Sequence, residues 1–437
     1  MMNCWVVALA GMLLMMSLGA IYSWSLYTQP LVYSFGWSTM TTTWAFSLAI
    51  FFLGLGALAG GRLQDRVGPR KVALAGVALW GMGNILAGLG TPTLGAAWLY
   101  LTYGAMGGFG VGMGYVTPVA VVTKWFPDRR GLGSGIVVTG FGLGAVAYNL
   151  VVKSIPSFSA AAATAAEYAK AAQLGDFAAR MLAPEHMHAV LDMLTLSGIA
   201  FLLMGGLGAW FLVNPPVTSP LTEKTHSAAE QGSRSYTTRE MLATGQFYLL
   251  WLMLFINVTA GILIISNALP ILQELTGASP KVAAAAYGLI ALFNALGRVF
   301  WGALSDRIGR RFAYSLIFML QAGVFFVMGD AHSLFWAVAA YAVILFCYGG
   351  GFGTMPSFNA DYFGTKHMGA NYGAILTAWG AAGVAGPLFV AEVKDLSGTF
   401  SGALPVVATM LALAAFLPLL TRTPVPPQRR ILVRQRK

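Results

Sequence analysis

Apolar runs of about twenty residues, separated by short clusters of charge, proline and glycine, follow one another along almost the whole chain. A helix rises 1.5 Å per residue, so each run is long enough to cross the roughly 30 Å hydrocarbon core of a bilayer. Breaking the chain at the polar clusters predicts spans near 5–33, 40–61, 72–91, 95–123, 132–155, 190–213, 246–273, 282–304, 312–330, 334–360, 368–391 and 399–421. Barrel strands alternate over only ~10 residues, and these runs are longer and uniformly apolar, so the spans are helices. The first run, MMNCWVVALAGMLLMMSLGA, lacks a basic leader and continues through Phe35, which makes it the expected first span.

Two polar stretches organise this series. Residues 214–245, containing NPPVTSPLTEKTHSAAEQGSRS, divide the twelve spans into two sets of six. The expected architecture is an all-α membrane protein: a six-helix bundle over 1–213, a linker over 214–245, a second bundle over 246–421 and a basic tail over 422–437. Residues 157–189 are alanine-rich with spaced charges and read as an amphipathic insertion before span six, either a cap lying on the outer face or a gate.

Composition agrees with the pattern. The chain is 57% apolar and 9% charged, against roughly 45–50% and about 25% in soluble domains. That disfavours a water-soluble enzyme, a disulfide-stapled secreted fold and a nucleic-acid-binding protein. The net charge of +11 is mainly topological. Twenty lysines and arginines fall at the termini and in the even-to-odd loops, and five (Lys153, Lys170, Arg180, Lys281, Lys394) fall on the opposite side. By the positive-inside rule both termini and the linker are cytoplasmic, in a bacterial inner membrane, with the basic residues facing anionic headgroups. Cys4 and Cys347 lie in apolar surroundings as small hydrophobes, and all five histidines fall in loops.

The two sets of six carry an internal repeat. GRLQDRVGPRK (61–71) and GALSDRIGRR (302–311) both place a glycine four residues before an Asp-Arg pair and a second glycine two residues after the arginine. A weaker echo links Trp125-Phe126-Pro127-Asp128 with Tyr362-Phe363-Gly364. A single copy could be a local salt bridge without consequence. Two copies at matching helix ends suggest a charge lock between parallel repeats that rock about a midplane site, built from Gly61, Asp65, Arg66, Arg70, Gly302, Asp306, Arg307 and Arg310. With these residues the sequence resembles the major facilitator superfamily over its full length. The resemblance implies twelve transmembrane helices in two pseudo-symmetric six-helix bundles and transport by alternating access.

No Asp or Glu sits in the middle of a span, and one arginine does. Arg298, in ALFNALGRVFWGALSDR, lies eight residues before Asp306, about 12 Å along the helix and near the bilayer centre. A central arginine costs roughly 2.5–3.5 kcal/mol on insertion scales. It could be a structural arginine satisfied by helix carbonyls. The matching position of the other repeat is Ala57, however, so the fold itself requires no charge there. A guanidinium offers a donor fork that matches a carboxylate, and with no buried acid nearby the expected partner is an anion from outside.

Around Arg298 the resemblance narrows to the oxalate:formate antiporter branch and related monocarboxylate carriers, on IYSWSLYTQP in span one, KWFPDRRGLGSG at the end of span four, and CYGGGFGTMPSFNADYFG and NYGAILTAWGAAG in spans ten and eleven. It implies that Arg298 binds substrate carboxylate. The dicarboxylate member also uses a span-eleven lysine, where this chain has Trp379. Many relatives place an acid one turn before the arginine, where this chain has Asn294. The first departure favours a substrate with a single carboxylate, such as lactate, pyruvate or formate; the second puts an amide where those relatives carry a proton partner. Tyr22, Tyr27, Tyr115, Tyr348, Phe352 and Trp379 are aromatic candidates for the site wall, although each could be packing, and Asn267 and Asn294 could bond a hydroxy or keto group or simply join helices. The glycine runs after Gly107 and Gly349 suit close helix packing and have no strand-turn-helix context for a dinucleotide.

The sequence thus predicts a secondary transporter of a small monocarboxylate, by symport or antiport. An oxalate/formate-type exchanger is the alternative, and a drug-efflux carrier or a non-transporting sensor of the same fold are further rivals. A small organic anion and the lipid bilayer are the expected partners, protons are a candidate co-substrate, and the chain is expected to be a monomer. No cofactor, metal or catalytic residue is expected.

Overall fold

The computed structural model describes residues 3–173, 181–216, 235–329, 333–386 and 402–424, apart from the side chains of 173, 266–271, 273–274, 280–281 and 283–289. Helices account for the spans, and no strand occurs among the described residues. In order they are α1 (Cys4–Gly19), a 3-10 turn (Ala20–Ser23), α2 (Ser25–Phe35), α3 (Thr39–Val67), α4 (Pro69–Leu99), a π segment (Tyr100–Gly107), α5 (Gly108–Trp125), α6 (Arg130–Lys153), α7 (Pro156–Gln173) and α8 (Pro184–Trp210). The second half continues with α9 (Thr238–Leu242), α10 (Gly245–Thr276), α11 (Pro280–Ile308), α12 (Arg310–Met328), α13 (Leu334–Phe363), α14 (Met368–Ile375), further helix over 377–386, α15 (Ala403–Ala414) and α16 (Leu417–Leu420).

Among the described residues, nine stretches are long and apolar enough to cross a bilayer. One of them, Pro69–Trp125, holds predicted spans three and four, which part at Gly95, where φ 68° and ψ −158° leave the helical region. The outward faces carry large apolar side chains that water would penalise: Leu203, Phe335, Trp336 and Leu413 are all well exposed. Such a continuous apolar exterior is the surface of a multi-pass membrane protein, with lipid as its solvent.

Local signals explain the helix ends. Ser38 Oγ accepts from the Thr41 amide at the start of α3, and Thr237 with Glu240 forms a capping box at α9. The second glycine of each repeated motif stops its helix: Gly68 (φ 92°) ends α3 and Gly309 (φ 86°) ends α11, a conformation that a side chain would strain. Proline then opens α4 at Pro69.

The two halves meet along α3 against α14 and α6 against α11. Both seams close tightly at the end of the molecule that carries the basic loops. A Cβ on Gly61 would collide with the Gly369 carbonyl, and one on Gly302 with the Gly131 carbonyl. The first motif glycine is therefore what lets the backbones touch.

The insertion forms α7, which buries Phe158, Ala161 and Ala165 beside α2 and α8. Residues 217–234 of the predicted linker lie outside the described residues, and its end is docked. The Tyr236 amide donates to the Phe363 carbonyl (2.8 Å), and Asn371 Nδ2 donates to the Tyr236 carbonyl (2.9 Å). Most of the basic tail, 425–437, lies outside the described residues.

Candidate functional site

Arg298 enters the centre of the bundle from α11, fully buried, and reaches across the seam to the first half. Its Nη1 donates to the Val138 carbonyl of α6 (2.8 Å), and its Nε lies 3.4 Å from Asn294 Oδ1, one turn back on its own helix. The guanidinium carbon sits 5.6 Å from the centroid of the Phe141 ring and 5.4 Å from that of Phe352. Nη2 is buried without a partner. No carboxylate pairs with this cation among the described residues. Two aromatic faces, one carbonyl and one amide stabilise the charge, and one arm of the fork stays open to an acceptor.

Aromatic side chains from both halves close around it. The Tyr22 and Tyr348 hydroxyls hydrogen-bond at 2.8 Å across the interface. Trp379, fully buried, packs edge-on against Tyr115 (5.0 Å), Phe141 (5.4 Å) and Phe352 (4.6 Å) and tilts toward Tyr22 (6.2 Å). The Trp379 Nε1 is buried without a hydrogen-bond partner, and the Tyr115 and Tyr372 hydroxyls face each other beside it. Buried polar atoms are normally satisfied. The free arm of Arg298 and the unpaired Trp379 indole N–H are two unsatisfied donors in one buried cluster, a chemistry suited to an anion.

Seven of the nine sequence candidates, Arg298, Tyr22, Tyr115, Asn294, Tyr348, Phe352 and Trp379, come together here. Tyr27 does not: its hydroxyl bonds that of Tyr148, which bonds Ser197 Oγ (2.5 Å), inside the first bundle. Tyr27 is one and a half turns beyond Tyr22 and projects onto a different face, against Trp24 and Phe158. The Asn267 side chain lies outside the described residues. Sequence reasoning missed Phe141 and Tyr372, since an aromatic within an apolar span carries no signal of its own. It also missed Asn257, whose Nδ2 donates to the Tyr348 carbonyl (3.1 Å) and whose Oδ1 accepts from Gln321 Nε2 (3.0 Å).

A cavity of about 340 Å³ lies above this cluster, at the end of the molecule opposite the basic loops. Tyr22 and Asn294 form its floor; Asn149 and Lys153 line it further out. Among the described residues, none of α7 lines it.

The basic end is closed by the repeated motif, through backbone amides as well as salt bridges. Asp306 accepts from the Gly131 (2.9 Å) and Leu132 (2.8 Å) amides at the N-terminus of α6, in the other half. Asp65 accepts from the Ala370 amide (2.8 Å) at the N-terminus of α14. Neither helix has a side-chain cap of its own, so each half's acid satisfies orphan amides of the other. Arg310 pairs with Asp306 (2.7 Å) and with Asp361 (2.8 Å), which also holds Arg130 (2.8 Å) across the seam. Arg66 and Arg307 are exposed, and Arg70 lies over the Trp210 ring (5.2 Å). These three expected members of the lock thus stand apart from the contacts between halves.

A model of the Major Facilitator Superfamily matches residues 7–387. The chain is 28% identical over 388 residues to the oxalate:formate antiporter of Oxalobacter formigenes, covering 87% of this chain and 82% of that one. It is 27% identical to apicoplast pyruvate carrier 1 of Toxoplasma gondii, covering 87% and 75%. Among solved structures, the proton:xylose symporter XylE superposes with a TM-score of 0.71 at 15% identity, over 96% of both chains. The human organic anion transporter MFSD10 gives 0.66 at 17%, over 96% of this chain and all of that one.

Proposed function

The chain belongs to the Major Facilitator Superfamily, and we propose that it is a secondary transporter, not an enzyme, that carries small monocarboxylates of the lactate, pyruvate and formate class. Arg298 anchors the carboxylate, and Tyr22, Tyr115, Asn294, Tyr348, Phe352 and Trp379 shape the pocket. The observation that carries this reading is the buried Arg298 fork with Nη2 unpartnered and no described carboxylate against it. A desolvated cation costs several kcal/mol unless an anion and hydrogen bonds compensate it, and a carboxylate supplies both.

One fixed cation suits a monoanion, since at the position the resemblance assigns to a second cation stands the apolar wall of Trp379. An oxalate/formate-type exchanger remains the second reading, favoured by the relation to the Oxalobacter protein. A carrier of cationic drugs would find its site already positively charged.

In the proposed orientation the basic end, the linker and both termini face the cytoplasm across a bacterial inner membrane, with one bundle before 214 and another from 246 to 421. The arrangement is then open outward, with the Asp65 and Asp306 contacts holding the cytoplasmic side shut. Uptake of one anion against an inside-negative potential opposes about 2.3 kcal/mol per 100 mV. Among the described residues no acid lies beside Arg298 to carry a compensating proton, so exchange, facilitated efflux or a proton travelling with the substrate fits best. Counterflow of labelled lactate in proteoliposomes, competed by pyruvate, formate and oxalate, tests the proposal. Saturable counterflow with oxalate the weakest competitor is expected, and its absence for every carboxylate would refute transport.

A further inference from the structure

The cavity above Arg298 contains a second cation that the site does not use. Lys153 lies in the last turn of α6 and lines the cavity, with Asn149 one turn nearer the centre and Tyr22 and Asn294 at the floor. Residues 149 and 153 share a face of α6 by their spacing. From Val138, whose carbonyl holds Arg298, to Lys153 is a rise of about 22 Å along the helix, so Lys153 stands at the outer end of the cavity and Arg298 beneath the Asn294 floor.

Most of the remaining lining is apolar, including Leu26, Val146, Ile265 and Leu345, and Lys153 is the sole charged residue among the described lining residues. Its ammonium has no ion-pair or hydrogen-bond partner among the described residues. A lysine at a helix C-terminus also complements the helix dipole, but that role needs no cavity and no neighbouring amide. Asn149 donates its Nδ2 to Ser23 Oγ (2.9 Å) and to the Ala145 carbonyl (2.7 Å), which fixes its carboxamide on the cavity wall.

We propose that Lys153 is an outer recruitment station for the anionic substrate: a carboxylate pairs first with Lys153 at the mouth, then passes Asn149 to reach Tyr22, Asn294 and Arg298. The inference rests on the monocarboxylate reading above. A cleft with charge of one sign and low-dielectric walls concentrates counter-ions and raises their on-rate. At this distance from Arg298 the two charges are separated by more than the ~8 Å Debye length at physiological salt, so Lys153 acts on entry and leaves the bound state to Arg298.

Sided kinetics in proteoliposomes decide it. Lys153→Gln should raise KM for lactate entering from the cavity side on the order of tenfold and flatten its dependence on ionic strength, with a much smaller rise for entry from the basic end. Lys153→Arg should restore both the KM and the salt slope. A Lys153→Gln protein with the wild-type KM and salt slope on the cavity side overturns the station, as does an equal KM rise on both sides with no rescue by arginine. Wild-type protein without saturable carboxylate uptake is a separate result, which overturns the anion reading itself and the station with it.

Discussion

The Arg298 guanidinium and the Val138 carbonyl, 2.8 Å apart, belong to opposite halves of the molecule, so the buried cation is also a contact across the seam between them. Thr139 makes the next such bond, donating to the Ala295 carbonyl at 3.0 Å. On the proposed reading, a substrate carboxylate on the free arm of Arg298 binds at a joint, and its interactions change as the halves open and close, which is the condition for a ligand to shift a conformational equilibrium.

The first prediction concerns the fork. Arg298→Lys keeps the charge but cannot bond Val138, Asn294 and a carboxylate together. A hydrogen bond to a charged group is worth about 1.5–3 kcal/mol, so lactate transport should fall roughly ten- to a hundredfold while the protein still inserts and purifies. Initial rates in proteoliposomes, normalised to reconstituted protein, read this out; wild-type rates would remove Arg298 from the pocket.

The second concerns selectivity. Trp379 occupies the centre of the aromatic cluster, within 6.2 Å of the Tyr22 ring centroid. A lysine there adds a second buried cation beside Arg298, which a monoanion leaves unpaired and a dianion satisfies. Trp379→Lys should shift relative affinity from lactate toward oxalate even if the rate falls. Competition binding on the folded variant checks this, and an unchanged ratio would make Trp379 a packing residue only.

The third concerns the lock. Asp306 caps two amides and pairs with Arg310, while Asp65 caps one amide, so Asp306→Ala should loosen the basic end more than Asp65→Ala. The probe is alkylation of Ser134→Cys, a buried seam position whose native hydroxyl donates to the Gly353 carbonyl, in a background with Cys4 and Cys347 replaced. Equal labelling in both variants and the parent would show that the caps do not hold the seam. Gly302→Val should increase labelling as well, because its side chain meets the Gly131 carbonyl.

The fourth concerns orientation. Ala166 and Ala243 are exposed on the inserted helix and beside α9 respectively. An impermeant thiol reagent added to intact cells should label Ala166→Cys and spare Ala243→Cys. The opposite pattern would invert the molecule and with it the assignment of the closed side.

Much of this was legible in the sequence because the bilayer simplifies the problem. Uniform apolar length marks a span, so the twelve segments could be read directly, and an isolated midspan charge such as Arg298 stands out against a background that penalises it. The repeat of Gly61-Asp65 and Gly302-Asp306 was equally visible. What each acid bonds was not, because a backbone amide 305 residues away leaves no mark in composition, and salt bridges were the natural expectation. Rotation about the helix was the other blind spot. Tyr22 and Tyr27 look alike in IYSWSLYTQP, yet one meets Tyr348 and the other Tyr148, since the 3-10 turn at Ala20–Ser23 resets the phase of the faces that follow. Phe141, which touches Arg298, sits among glycines that looked like packing alone.

The central claim is that the unpartnered arm of Arg298 receives the substrate's carboxylate, and calorimetric titration of lactate into the purified protein tests it most directly. Wild-type protein should bind saturably, Arg298→Lys at least roughly tenfold more weakly, and Arg298→Ala without measurable heat while retaining its wild-type elution and thermal unfolding. Lactate binding of wild-type affinity in Arg298→Ala, or no binding of any monocarboxylate to the wild type, would contradict the account.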